Sequence, residues 1–166
     1  GRIDQQAYGL SITPPYKNHT LKFGFQQIKG DEYFDYVGES NAITLPNTML
    51  SYYNGPNERS FQVNYINDFT GYGVPGFKTI LWYIKGWGID GSHYEGGPNG
   101  IYGSVLKQQD ESHYEVGTFV SYVVQSGRLK GANLLSGYAW HRASENQIEG
   151  NLEEFRLIVN MPFKIF

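Results

Sequence analysis

Hydrophobic and polar residues alternate with a period of two along most of the chain. In the closing segment, Phe155–Phe166, large apolar residues occupy every second position: Leu157, Val159, Met161, Phe163 and Ile165. Because side chains alternate faces along a strand, one face of this segment is continuously apolar and the other is mixed and partly charged. This division predicts a strand with lipid on one side and water on the other.

The same alternation predicts seven strands in all. They are Gln5–Thr13, Thr20–Lys29, Ser60–Phe69, Phe77–Lys85, His113–Gln125, Asn133–Arg142 and the closing segment. The fourth and sixth strands are apolar on both faces, so the pattern leaves open which of their residues share a face.

The connections between the predicted strands differ in length in a regular way. Short turns at 14–18, 71–76 and 126–131 alternate with long loops at 30–57 and 86–111 and with a polar loop at 143–152. Short turns at one end, long loops at the other and strands of about ten residues are typical of barrels that cross a membrane. A water-soluble antiparallel sandwich or barrel also alternates, with its apolar face packed inward, and the pattern alone leaves that alternative open.

The composition favours strands and limits the chemistry. The chain of 166 residues contains 14 Tyr, 10 Phe, 3 Trp and 21 Gly, an enrichment that suits strands joined by tight turns. It contains no Cys, which excludes thiolate metal sites, disulfides and a cysteine nucleophile. The formal net charge of -3 gives no reason to expect a nucleic acid as partner.

The histidines give no sign of a metal centre or a catalytic site. His19, His93, His113 and His141 are scattered without the spacing of metal ligands or of a Ser–His–Asp triad. We therefore expect no catalytic residues, no cofactor, no metal and no enzymatic activity.

Five segments, in order and at suitable spacing, carry a family resemblance. They are FGFQQIKGDEYFDY, NGPNERSFQVNY, DFTGYGVPGF, YVVQSGRLKG and EEFRLIVNMPFKIF. Together they resemble the OprD-like outer-membrane porins, also called outer-membrane carboxylate channels, over the carboxy-terminal part of a family member.

The resemblance implies an all-β fold, an antiparallel transmembrane β-barrel of roughly eighteen strands. Residues 1–166 would supply about seven consecutive carboxy-terminal strands of that single barrel domain. Unpaired backbone groups at the edges of an open sheet would cost several kcal/mol each in hydrocarbon. We therefore expect the remaining amino-terminal strands to complete the barrel.

The resemblance also implies a location and a function. The location is the outer membrane of a Gram-negative bacterium, in contact with lipid and lipopolysaccharide, and a homotrimer is a compatible assembly. The function is passive, charge- and size-selective diffusion of small polar solutes, such as amino acids, carboxylates, other nutrients or antibiotics. Two alternatives remain open: a soluble all-β binding module with an aromatic ligand groove, and a non-conducting adhesive barrel.

In the resembled family, basic residues on the lumen wall face acidic and aromatic groups on inward-folded loops. The candidates for the constriction loop are Asp31, Glu32, Asp35 and Tyr36, and those for the lumen wall are Lys22, Gln62, Asn64, Arg156 and Asn160. Asn64 and Trp82 stand where the family often carries a base, so much of the basic ladder is absent. A constriction with acids but few bases predicts a preference for neutral or cationic solutes.

Overall fold

A computed structural model describes residues 5–34, 46–47 and 49–162, and these form an antiparallel sheet. Its strands are β1 (Gln6–Ile12), β2 (Pro15–Tyr16), β3 (His19–Lys29), β4 (Arg59–Asp68), β5 (Phe77–Ile89), β6 (Glu111–Val123), β7 (Asn133–Ala143) and β8 (Leu152–Asn160). Each long strand pairs with its neighbours in sequence, in the order β1-β3-β4-β5-β6-β7-β8, and β2 pairs with β3. No helix within the described part of the chain is long and apolar enough to cross a membrane.

The seven predicted strands correspond to the seven long strands, with several corrections to their bounds. β5 continues to Ile89, four residues into the predicted loop at 86–111, because it goes on pairing with β6, which begins at Glu111. The predicted turn at 14–18 contains the short strand β2, because Pro15 and Tyr16 pair with Thr20 and His19. The last strand begins earlier than predicted, at Leu152, because its register starts where Leu152 pairs with His141, and within the described residues it runs to Asn160. Residues 163–166 of the predicted closing strand lie outside the described residues.

The sheet exposes its large apolar side chains and covers its polar ones. Phe155 and Leu157 are 66% and 67% exposed, whereas Gln26, Gln62 and Glu115 are buried. We call the two sides the apolar face, which carries Leu10, Phe23, Phe25, Phe61, Leu81, Tyr83, Leu134, Phe155 and Leu157, and the polar face, which carries Gln26, Gln62, Glu115, His141 and Arg156. A soluble sheet has the opposite arrangement, so the soluble module does not fit this structure. An apolar surface of this extent needs lipid or another apolar neighbour.

The structure assigns the two strands whose faces the sequence leaves open. In β5, Trp82 and Ile84 are buried on the polar face, and Leu81 and Tyr83 are exposed on the apolar face. In β7, His141 is buried on the polar face, as is Ala139 two residues before it. Each assignment follows from pairing with strands whose faces are clearly divided, since directly paired residues point to the same side.

Part of the long connection between β3 and β4 covers the polar face. We call residues 46–47 and 49–58 the inserted segment. Its Tyr53 packs in a small buried cluster with Trp82, Ile84 and Ala139 of the wall. The amide of Gln26 on β3 donates to Tyr53 O at 2.5 Å, and Gln26 Oε1 accepts from Asn47 N at 3.2 Å. A Cβ at Gly24 would overlap Asn47 Oδ1, so glycine there allows the segment to lie close to the wall.

Candidate functional site

The buried carboxylate of Glu115 holds the inserted segment against the wall. Glu115 lies on β6 with no solvent exposure. Its oxygens accept hydrogen bonds from Leu50 N at 2.9 Å and Ser51 N at 2.7 Å. Oε1 also accepts from Trp82 Nε1 on β5 at 2.5 Å. Hydrogen bonds to an ionised acceptor are stronger than neutral ones, so Glu115 fixes the middle of the segment.

The sequence places Glu115 on the polar side of its strand but does not identify it as a site residue. Alternation shows only that the residue faces away from the apolar side chains. Its two partners in the inserted segment lie 64 and 65 residues away along the chain and are backbone groups. No local pattern reports such a contact.

A second buried group lies at the same end of the sheet as the long loops. His113 Nδ1 lies 2.7 Å from His141 Nε2, and His113 Nε2 lies 2.7 Å from Glu58 Oε1. All three side chains are almost fully buried. The register of β6 and β7 brings the two histidines together, since His141 pairs with Glu115, which lies two residues from His113 on the same face. The sequence does not reveal this register and so gives no reason to connect them.

Three of the predicted lumen-wall residues lie on the polar face beside the inserted segment. Gln62 and Asn64 are buried on β4, and Gln62 Nε2 donates to Asn64 Oδ1 at 2.8 Å. Lys22, which pairs with Asn64 across the β3–β4 ladder, donates to Pro46 O at 3.3 Å. These three residues therefore form one neighbourhood on the wall.

The other two predicted wall residues lie on β8, far across the sheet. Arg156 and Asn160 share the polar face, where they pair with Gly137 and Asn133 of β7. Arg156 Nε forms an ion pair with Glu154 Oε1 on the same strand. The structure thus divides the predicted wall residues into two separate groups.

A groove separates the inserted segment from the wall near Arg156. Its lining includes Met49, Leu50, Trp82, Phe119, Glu154 and Arg156. Gly137 forms part of its floor, where a Cβ would overlap the ring of Phe119. The groove has apolar sides with one base and one acid at its edge.

The predicted constriction-loop residues are only partly described. Asp31 and Glu32 follow β3 directly and are half-buried, and Asp31 Oδ1 accepts from Asn57 Nδ2 at 3.1 Å. Burial raises the pKa of the neighbouring Tyr33 to about 12. Asp35 and Tyr36 lie outside the described residues. Asp31 therefore contacts the base of the inserted segment, at the opposite end of the segment from Lys22.

Charges on the polar face of the described strands are largely balanced. The bases there are Lys22, Lys78 and Arg156, and the acids are Asp68, Glu111, Glu115 and Glu154. Lys78 Nζ lies 3.0 Å from Asp68 Oδ2, and Arg156 pairs with Glu154. Each of these two bases therefore has an acidic neighbour that reduces its effect on the potential of the face.

Comparison with known proteins gives one consistent result. Residues 1–165 match the family model described as outer membrane porin, OprD family. The chain is 36% identical to Porin D of Pseudomonas aeruginosa, over 99% of this chain and 39% of that protein. It is 28% identical to the porin-like protein GalP of Pseudomonas putida, over 99% of this chain and 36% of that protein.

Solved structures agree with the sequence comparison. The crystal structure of Pseudomonas aeruginosa OccD3 (OpdP) matches all of this chain with a TM-score of 0.92 and 46% identity, over 41% of its own length. Pseudomonas aeruginosa OprD matches all of it with a TM-score of 0.87 and 35% identity, over 44% of its own length. The chain thus spans about two fifths of the relatives that it matches. The family match and these two structural matches agree, and the chain belongs to the OprD family of outer membrane porins, which are non-enzymatic.

Proposed function

We propose that the protein is a channel through which small polar solutes, such as amino acids, carboxylates or other nutrients, diffuse passively across the outer membrane. One observation carries the proposal: the exposed apolar face is suited to lipid, while the polar face carries a folded-in segment and a groove. This is the arrangement expected of a wall with water inside and a narrowed passage. Diffusion of this kind requires a passage of suitable width and charge and no reacting group.

We further propose that these strands belong to a single, larger closed barrel. The backbone edges of β1 and β8 lie at the two sides of the sheet, and an unpaired edge in hydrocarbon is costly. The two-fifths coverage of the relatives supports additional strands in the complete barrel. Lipid, lipopolysaccharide and a homotrimeric assembly are the partners that this membrane location suggests.

We propose that the channel favours neutral or cationic solutes over anions. The support is the charge balance on the polar face, where Lys78 and Arg156 are each paired with an acid. In addition, Asn64 and Trp82 place no positive charge on this part of the wall. An anion therefore meets little uncompensated positive potential along the described strands. Asp31, Glu32, Asp35 and Tyr36 are the proposed constriction residues.

Planar-bilayer recording of the full-length protein tests the proposed channel function and the proposed charge preference. We expect discrete single-channel conductance, and in a potassium chloride gradient a reversal potential of the sign given by cation permeation. A protein that inserts but never conducts would overturn the channel proposal and favour the adhesive barrel. Conductance with clear anion selectivity would leave the channel intact and overturn the charge preference.

A further inference from the structure

Glu58, His113, His141 and Glu149 form a chain of polar groups behind the inserted segment. Glu58 Oε1 contacts His113 Nε2, His113 Nδ1 contacts His141 Nε2, and His141 Nδ1 lies 2.7 Å from Gly150 O. Glu149 Oε2 lies 3.9 Å from His113 Nδ1 and 4.0 Å from His141 Nε2. Three ligand-type atoms therefore surround one point: His113 Nδ1, His141 Nε2 and Glu149 Oε2.

The hydrogen-bond partners determine which histidine nitrogens carry protons. The backbone oxygen of Gly150 can only accept, so His141 Nδ1 is the protonated nitrogen of that ring. The carboxylate of Glu58 accepts from His113 Nε2, and its other oxygen already accepts from Gly55 N at 2.8 Å. A neutral imidazole has one N–H. His141 therefore donates from Nδ1 to Gly150 O, and His113 donates from Nε2 to Glu58 Oε1.

Gln147 gives an independent indication of the same tautomer. Its Oε1 accepts from Glu149 N at 2.8 Å and from Gly150 N at 3.1 Å, which fixes the orientation of the amide. The amide nitrogen therefore faces His113 Nδ1, at 3.4 Å, as a donor. His113 Nδ1 is an acceptor in this arrangement.

The two inner nitrogens consequently present lone pairs to each other at 2.7 Å. Two acceptors at that distance repel unless a cation lies between or beside them. Glu149 supplies a carboxylate on the open side, and its side chain is 26% exposed, which gives an ion a path from solvent. Two imidazoles and one carboxylate form a donor set that suits Zn²⁺ and related transition metals.

We propose that His113, His141 and Glu149 bind a divalent transition-metal ion such as Zn²⁺. Bonds of about 2.0–2.2 Å at tetrahedral angles separate two ligand atoms by about 3.3 Å, so each atom needs to shift by only about half an ångström. Water would complete the coordination. Glu58 would act as the carboxylate that orients a ligating histidine, and Gly86, where a Cβ would overlap both Glu58 Oε1 and His113 Nε2, leaves the room for it.

The ion would fasten three parts of the protein together. His113 and His141 lie on β6 and β7, and Glu149 lies in the loop that follows β7. Glu149 Oε1 also accepts from Tyr52 N of the inserted segment at 3.2 Å, and Glu58 belongs to the same segment. Metal binding at this point would therefore hold the segment and the loop between β7 and β8 against the wall.

The test is titration calorimetry of the full-length, tag-free protein in detergent, stripped with a chelator and titrated with Zn²⁺ alone. We expect one Zn²⁺ per chain, with affinity abolished in His141→Gln and reduced at least about tenfold in Glu149→Gln and Glu58→Gln. His93→Ala, at an exposed histidine outside the group, serves as the matched control and should bind as the wild type does.

A spectroscopic measurement complements the titration. X-ray absorption at the zinc edge should show two imidazole ligands at about 2.0–2.1 Å. Altered migration after heating reports folding for each variant, and Glu149→Gln, at a partly exposed side chain, keeps the test valid if His141→Gln fails to fold. Absence of stoichiometric Zn²⁺ binding in the wild type, or full affinity in folded Glu149→Gln and Glu58→Gln, would overturn the proposal. Neither measurement depends on conduction, so the proposed channel function stands or fails separately.

Discussion

One buried carboxylate, that of Glu115, holds the inserted segment against the wall. Glu115 accepts from two backbone amides of the segment and from the indole of Trp82. Such a group is stabilising only while all its bonds are made, because the donors that it satisfies are themselves buried. The position of the segment, and with it the width of the groove, depends on this residue.

We predict that Glu115→Gln releases the inserted segment. A glutamine amide cannot accept from three donors at once, and each buried donor left unsatisfied costs about 1–3 kcal/mol. The expected result is a larger or more fluctuating single-channel conductance together with a lower free energy of unfolding. Glu145→Gln, at an exposed acid in the loop after β7, makes the same charge change and should leave both quantities unaltered. Equal conductance in the two variants would contradict this role of Glu115.

We predict that the ion pair between Arg156 and Glu154 contributes to ion selectivity. Glu154→Gln leaves Arg156 without its acid, so the reversal potential should move toward anion permeation. Arg156→Gln should move it toward cations. Arg128→Gln, in the exposed turn between β6 and β7, removes the same charge at a residue that does not line the groove and is the control. An equal shift in Arg128→Gln and Arg156→Gln would mean that net charge, rather than position, sets the selectivity.

At the scale of the element, β8 shows how completely one strand divides its two faces. Leu157 and Ile158 are adjacent and both exposed, yet they point to opposite sides of the sheet. Leu157 lies on the apolar face with Phe155 and Val159, and Ile158 lies on the polar face with Arg156. The two positions offer a direct test of which side meets lipid.

We predict that Leu157→Arg destabilises the protein by about 2–4 kcal/mol in lipid, the cost of a charge in the hydrocarbon region of a barrel. Ile158→Arg should change the free energy of unfolding much less, because the polar face is wet. Urea unfolding in lipid vesicles, followed by tryptophan fluorescence, measures both values. If Ile158→Arg lowered the free energy of unfolding more than Leu157→Arg does, the assignment of the apolar face to lipid would be wrong.

At the scale of the whole molecule, the distribution of side chains is reversed relative to a soluble sheet. The described strands bury Gln, Glu, His and Asn on one face and expose Phe, Leu, Tyr and Val on the other. The side chains that a soluble protein would use for its core here form the outer surface. The outer membrane location of the family supplies the solvent that such a surface requires.

We predict that the folded full-length protein remains dispersed only in detergent or lipid. Dilution below the critical micelle concentration should produce aggregates detectable by light scattering, because the apolar face then meets water. Refolding into vesicles should restore heat-dependent migration on gels. A monodisperse protein in detergent-free buffer would contradict the assignment of the apolar face to lipid.

The sequence alone determined the strands and, where alternation was clear, their faces. In β3, Leu21, Phe23 and Phe25 alternate with polar or small residues, and all three lie on the apolar face. The period of a strand is a local property, so a local pattern suffices to reveal it. The family resemblance likewise rests on short segments, and the comparisons confirm it.

The tertiary structure alone decided the faces of β5 and β7 and the groups that meet on the polar face. Trp82 has apolar neighbours on both sides in sequence, so only pairing with β4 and β6 directs it inward. Glu115 finds its partners in a segment 64 and 65 residues away, and His113 meets His141 through strand register. These contacts depend on long-range pairing and loop placement, which a local period does not encode. The alternation that separates the lipid side from the water side is a local property of each strand, so the sequence reveals it.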